Sequence, residues 1–303
     1  MSVLRLGYVH IRVTDLDEAV RHYTPTLGLQ QTAVTDHAVY LKGWDEFDHH
    51  CVVLERGGVG LARLGMKVGS NDDLDRYERA LGQFGVSTSR MSSGESYAVG
   101  EGLRVQLPTG QTMDLYAEME YVGNELGTFN PHSVVRDPRG LMVPRLDHML
   151  IAGEDPALVE RMFIDCLDFH CSERLITDIE SGDLVATWLF SSGSSHDIAF
   201  IKGEQGKMHH FAFWLDDWNA ILRAGDVFSI DDTPVDYGPT RHGITRGTTI
   251  YFFDPAGNRN EVFTGSYRCY ADTPTITWTM DHLARGLSSL QREINESFLT
   301  VFT

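Results

Sequence analysis

Cysteine is scarce in this chain. Its four residues, Cys51, Cys166, Cys171 and Cys269, form no CxxC pair, and 303 residues can build a core without disulfide staples. Basic residues are in deficit too: 25 Lys and Arg stand against 43 Asp and Glu, a net charge of −18. That balance argues against nucleic acid, which needs a basic patch, and against an anionic membrane surface. It leaves room for a local basic pocket. No apolar run approaches the roughly 20 residues of a membrane span. The opening "MSVLRLGYVHIRV" lacks the apolar core of a secretory signal. These absences predict a reduced, cytoplasmic protein with no nucleic-acid or membrane partner. Its 42% hydrophobic and 22% charged residues are those of a soluble globular chain, and its length suits two ordinary domains or one large one. Histidine is the oddity, at thirteen residues, and only spacing can make it informative.

An internal repeat supplies that spacing. "LGYVHIRVTDLDEAVRHYTPTLGL" from Leu6 aligns without a gap with "LDHMLIAGEDPALVERMFIDCLDF" from Leu146, matching Asp15 to Asp155, Tyr23 to Phe163 and Leu27 to Leu167. Both read as strand, acidic turn, amphipathic helix and apolar exit, with helical periodicity at Ala19, Val20 and Tyr23 and at Leu158, Val159, Met162 and Phe163. A second pair agrees: "VQLPTGQTMDLYAE" and "IYFFDPAGNRNEVF" each hold a Pro-x-Gly turn with an acidic residue beyond it, Asp114 and Glu261. Each half therefore reads β-α-β-β-β twice, an α+β chain of two domains. The Pro-rich "NPHSVVRDPRGLMVP" marks the junction, dividing 1–132 from 146–270, with a helix and tail over 271–303. Chance likeness between two α+β segments is the competing explanation, and two landmarks in one order favour duplication.

In a duplicated fold the informative positions are those where the copies differ. His148 answers Tyr8, His210 answers the neighbourhood of Arg63, and Glu261 answers Asp114. Taken singly, a strand histidine is more often a satisfied structural residue. Two histidines and a glutamate at one strand phase, missing as a set from the first half, point to a metal. Two imidazoles and a carboxylate form the facial triad of non-haem Fe(II). His209 is the rival for His210; strict alternation turns it away from the site or leaves it a supporting role. His10 lies two residues past the repeat position and reads as structural.

The segment Thr240-Arg241-His242, seven residues, Ile250-Tyr251, two residues, Asp254-Pro255-x-Gly257, three residues, Glu261 resembles the signature of the extradiol ring-cleavage dioxygenases. The opening "LGYVHIRVTDLDEAVRHYT", the strand "LDHML", "MHHFAFW" and the tail "WTMDHLARGL…INESFLTVF" extend the likeness to the catechol 2,3-dioxygenase type over essentially the whole chain, with no departure at a functional position. The resemblance implies paired βαβββ modules forming open barrels, the vicinal oxygen chelate fold, with a silent N-terminal barrel. It implies Fe(II) on His148, His210 and Glu261, and His196, His242 and Tyr251 as the catalytic set. It implies a catechol-type substrate cleaved outside its diol with O2 to a 2-hydroxymuconic semialdehyde-type product in aromatic-compound degradation, and a homotetramer.

Read without the signature, Tyr251 serves equally as a core tyrosine and His196 as a loop histidine. The tail "DHLARGLSSLQREINESFLTVFT" reads as an amphipathic helix. Family likeness makes it a cap over the site, with Phe298 and Thr245 as candidates for the pocket wall. Rivals stay open: a Mn(II)-dependent ring-cleaver, a glyoxalase-like isomerase or epimerase, and a non-enzymatic binding protein for aromatic or metal-chelating ligands. The preferred ring substituent is not fixed by the sequence.

Overall fold

The computed structural model describes residues 3–303. The first half runs β1 (Val3–Val13), α1 (Leu16–Arg21), β2 (Gln30–Val34), β3 (Ala38–Lys42), β4 (Val52–Arg56), then β5 (Gly60–Val68), α2 (Asn71–Phe84), β6 (Thr88–Met91), β7 (Gly102–Gln106) and β8 (Thr112–Tyr116). The second half repeats it: β9 (Arg145–Gly153), α3 (Pro156–Leu167), β10 (His170–Ile176), β11 (Leu184–Phe190), β12 (Ile198–Lys202), then β13 (Lys207–Trp214), α4 (Trp218–Ile230), β14 (Val235–Arg241), β15 (Gly247–Phe253) and β16 (Arg259–Gly265). Four short elements follow: β17 (Ile276–Thr279), a 3₁₀ turn (Met280–His282), α5 (Leu283–Leu287) and α6 (Glu296–Thr300).

The acidic residues matched in the repeat are helix N-caps. Asp15 accepts from the Glu18 amide and Asp155 from the Leu158 amide, satisfying donors that the first helical turn leaves free. Asp217 does the same for α4, and Ser70 for α2. α1 stops after six residues and passes into a π-helical turn over His22–Thr26, where Pro25 has no amide to donate.

Each half forms one sheet of the same order. The first is β2-β3-β4-β1-β5-β8-β7-β6, and the second β14-β15-β16-β13-β9-β12-β11-β10 with β17 added at its edge. In both, the first strands of the two modules pair antiparallel at the centre: β1 with β5 and β9 with β13. This is the two-domain, paired βαβββ architecture of the vicinal oxygen chelate fold. One hydrophobic cluster continues through both halves, from Val9, Leu41 and Leu64 to Met149, Phe163 and Phe211. The Asp254–Gly257 turn joins them further: Tyr23 donates to Asp254 at 2.9 Å, and Asn258 donates to the Arg12 carbonyl at 3.0 Å. Among the described residues no helix is long and apolar enough to cross a membrane.

The tail differs from the single helix predicted. It comprises two five-residue helices separated by turns. Gly286, Ser288 and Ser289 are poor helix formers. The Gly286 carbonyl is taken by the amides of Gly243 and Ile244, and Asn295 caps a fresh start by accepting from Phe298.

Candidate metal centre and catalytic site

Sheet register brings the predicted ligands together. His148 on β9 faces Ala212 on β13, and Ala212 pairs in turn with Glu261 on β16. His210 on β13 faces Leu150 on β9. The three side chains are buried, and one ligand atom from each lies within 4.8 Å of the others. Among the described residues no other His, Cys, Asp and Glu group converges in this way.

Hydrogen-bond partners fix where the protons sit. The Phe298 carbonyl can only accept, so His209 Nε2 donates to it at 2.7 Å. Burial, with His210 alongside, holds His209 well below the usual imidazole pKa and keeps it neutral. Its Nδ1 therefore carries a lone pair and accepts from His210 Nδ1 at 2.6 Å. His210 is neutral as well, lowered to about 4 mainly by burial. Its Nε2 is left with a lone pair 3.0 Å from Glu261 Oε2, buried without a hydrogen-bond partner. On the other side, His148 Nδ1 donates to Asp147 at 2.8 Å, and His148 Nε2 lies 3.0 Å from the same Glu261 oxygen. Burial disfavours the His148 cation, but Glu261 and Asp147 outweigh burial and raise it to about 9. A metal ion would displace the proton this leaves on Nε2.

Two imidazole nitrogens and a carboxylate oxygen thus converge on one buried point that needs positive charge. Their 3.0 Å separations match the edge between ligands set at right angles, each about 2.1 Å from a common ion. The donor set fits a first-row divalent metal, with coordination positions left for substrate. Outer partners hold the ligands in place: Asp147 on His148, His209 on His210, and Thr249, which donates to Glu261 Oε1 at 2.5 Å.

The remaining predicted residues surround this point. His242 Nδ1 donates to the Leu287 carbonyl at 2.5 Å, so its Nε2 accepts from the Tyr251 hydroxyl at 2.9 Å. Tyr251 sits opposite Glu261 in the β15–β16 ladder. Burial and the Glu261 charge push the Tyr251 phenol well above its usual pKa, so it is a protonated donor. The His196 ring lies 4.0 Å from that of His148, with its Nδ1 3.1 Å from Ser195 Oγ. Burial first, and His148 second, depress its pKa well below 6.5. Thr245 and Phe298 line the same cavity, and the Phe298 ring packs 4.8 Å from that of Tyr251.

The cavity measures about 180 Å³, an order of magnitude more than one water requires. Leu150, Leu175, Ala186, Trp188, Ile244 and Leu287 give it an apolar wall, and among the described residues no Lys or Arg lines it.

His209 departs from strict alternation. A β-bulge between Met208 and His210 breaks the register with β9, and His209 and His210 touch through their Nδ1 atoms. The supporting role allowed for His209 is the one it takes, whereas sequence reasoning missed Asp147, Thr249 and the backbone acceptors on Phe298 and Leu287. Thr249 lies two residues before Tyr251 on β15 and shares its face, so alternation could have found it. The carbonyls left no sequence signal.

Equivalent positions in the first half are closed by fixed cations. Register places Tyr8 opposite Gly65, Arg63 opposite His10, and Asp114 beside Gly65, matching His148, His210 and Glu261. Asp114 accepts from Tyr8 at 2.7 Å and from Arg104 at 2.8 and 3.0 Å, with Arg63 Nε 3.7 Å away. Arginine charge here does the neutralising that a metal would do in the second half. Asp114→Ala strands these donors and is expected to destabilise the fold by about 3–5 kcal/mol, read from the denaturant midpoint. Metal content should not change.

The family profile described as "Catechol 2,3-dioxygenase-like N-terminal domain" matches residues 62–120. That described as "Glyoxalase/Bleomycin resistance protein/Dioxygenase superfamily" matches residues 145–262. The chain is 41% identical over 306 residues to a metapyrocatechase of Pseudomonas sp. (strain CF600), covering 100% of this chain and 99% of that one. It is 25% identical over 295 residues to a manganese-dependent 2,3-dihydroxybiphenyl 1,2-dioxygenase of Geobacillus genomosp. 3, covering 94% and 93%. Among solved structures, the 2,3-dioxygenase LapB of Pseudomonas sp. KL28 superposes with a TM-score of 0.90 at 39% identity, covering 93% of this chain and 99% of that one.

Proposed function

This chain belongs to the extradiol ring-cleaving dioxygenases of the vicinal oxygen chelate superfamily, and from that premise we propose that His148, His210 and Glu261 hold Fe(II) for the meta cleavage of catechols. The reaction joins catechol or a substituted catechol with O2 and opens the ring outside the diol, giving a 2-hydroxymuconic semialdehyde-type product. The observation that carries the reading is the convergence of the His148 and His210 Nε2 atoms and Glu261 Oε2 on one buried point, walled by His196, His242 and Tyr251. A bound divalent metal supplies Lewis-acid polarisation of the diol and a redox route between the ring and O2.

The chain's own groups handle protons and orientation. His196, neutral at pH 7 because of its burial, accepts a proton from the diol and returns it later. The Tyr251 hydroxyl, aimed at His242 in the free site, turns to donate to a deprotonated diol oxygen. His242, fixed by the Leu287 carbonyl, answers charge that develops on the ring oxygen. The apolar wall excludes water and receives the ring and any uncharged substituent. Units 1–132, 146–270 and 271–303 divide the labour as a metal-free barrel, a catalytic barrel and a cap. We place the enzyme in the cytoplasm as a homotetramer.

Aerobic addition of catechol to protein reconstituted with Fe(II) should give a yellow product absorbing in the near-visible. Peroxide should abolish that activity, and Fe(II) with a reductant should restore it. The manganese-dependent relative makes Mn(II) the specific alternative. Full turnover on Mn(II) alone, untouched by peroxide, would replace iron with manganese. An isomerase would leave O2 unconsumed, and a binding protein would return catechol unchanged.

A further inference from the structure

Glu173 lies on β10, fully buried, and its side chain takes no part in the site described above. Three donors from three separate segments converge on its carboxylate. The Thr245 amide donates to Oε1 at 2.5 Å, the Tyr267 hydroxyl to Oε1 at 2.7 Å, and Trp278 Nε1 to Oε2 at 2.6 Å. The Arg246 guanidinium lies 4.7 Å over the Tyr267 ring, a positive charge close by.

The Thr245 contact is the informative one. Thr245 (φ 59) and Arg246 (φ 57) are consecutive non-glycine residues in the left-handed region. A β-branched residue there is an outlier that persists only where its surroundings hold it. The turn directs the Thr245 amide inward, onto the Glu173 carboxylate. The same turn leaves β14 at His242 and lines the cavity with Ile244 and Thr245.

The turn also carries the cap. Gly243 and Ile244 donate to the Gly286 carbonyl at 2.8 and 2.9 Å, and His242 Nδ1 donates to the adjacent Leu287 carbonyl. The approach is close: a Cβ on Gly243 would meet the Trp278 ring at 2.9 Å and the Gly286 Cα at 3.3 Å. Glu173 thus grips the turn through Thr245 and the strand leading into the cap through Trp278. The carbonyl that fixes the His242 ring, on Leu287, ends the segment that begins with that strand.

We propose that Glu173 is a positioning residue that sets the aim of His242 by clamping the 243–246 turn to the segment 276–287. The proposal rests on the reading that His242 acts on a bound diol. Glu173→Gln keeps the size of the side chain but replaces one acceptor oxygen with an NH2 facing donors. In the Fe(II) enzyme it should leave metal content unchanged and lower kcat/KM for catechol about tenfold, the lower end for a partner that orients a functional side chain. Combined with His242→Ala it should add less than about twofold, because its effect passes through the missing ring. Equal losses in both backgrounds would overturn the proposal.

A second measurement needs no substrate. Hydrogen exchange at 242–246 and 276–287 should speed up in Glu173→Gln, and unchanged exchange there overturns the clamp. If the unmodified enzyme fails to cleave catechol, the functional reading falls while the exchange result still decides the clamp. Tyr267→Phe removes one donor from a partly exposed side chain and should shift both measurements in the same direction by smaller factors. If Glu173→Gln does not fold, Tyr267→Phe carries both tests.

Discussion

Glu261→Ala is expected to reduce bound metal to background and turnover by three orders of magnitude or more, about 4 kcal/mol of activation free energy. Glu261 is the one anionic member of the converging set, and both histidine Nε2 atoms lie 3.0 Å from the same oxygen. Without it, two neutral imidazoles remain in a buried apolar cavity, an environment that penalises an uncompensated divalent charge. His148 also loses the charge that chiefly raises its pKa. The fold should survive, because the first half and the shared core contain none of these residues. Metal analysis alongside a circular dichroism melt checks both halves of the expectation, and full occupancy in a folded Glu261→Ala protein would remove Glu261 from the ligand set. His148→Ala and His210→Ala should behave alike. His209→Ala removes the acceptor that orients His210 but no ligand, so metal affinity should fall 10- to 100-fold rather than vanish. Loss of metal in His209→Ala with retention in His210→Ala would put the ligand register off by one residue.

Much of this site was legible because the duplication is gapless. Sliding "LDHMLIAGED" along the first half pairs His148 with Tyr8, and the observed ladder pairs them through equivalent partners, Ala212 and Gly65. The Pro-x-Gly turn placed Glu261 against Asp114 in the same way, and the acidic residues matched in the repeat proved to be caps with a local purpose. Register extends the correspondence to a pair the repeat did not suggest. Val52 pairs with Val9 as Ile198 pairs with Met149, so His50 occupies the position of His196.

What stayed hidden depends on backbone groups brought from far along the chain. His209 defied alternation because a bulge shifts the register there, and the carbonyl that fixes its tautomer is 89 residues away in α6. The tail was read as one helix because its apolar spacing is helical. In the structure the 242–244 segment competes for its carbonyls and divides it. Local periodicity carries no information about such competition.

His196→Phe should keep its metal and still bind catechol, yet lose turnover by ~100- to 10,000-fold, the usual range for a general acid–base group. The ring lies beside His148 without being placed among the ligands, so its removal leaves the converging set untouched. Burial and the neighbouring His148 hold its pKa well below 6.5. The unprotonated form therefore remains available at pH 7 and persists as pH falls through 6.5. Competence as a base is lost only at lower pH, so kcat/KM should stay level through pH 6.5, and the acid limb assigned to His196 should be missing from the variant. Tyr251→Phe deletes one hydroxyl that holds a diol oxygen and should cause a smaller loss, with weaker substrate binding. His242→Ala should fall between them, with a penalty that depends on the ring substituent. Stopped-flow turnover with metal content measured on each sample tests the order His196, His242, Tyr251. Near-native rates in all three at full metal occupancy would keep the fold and the metal centre but remove these residues from the catalytic set, and the isomerase and binding-protein readings would then account better for the same cavity.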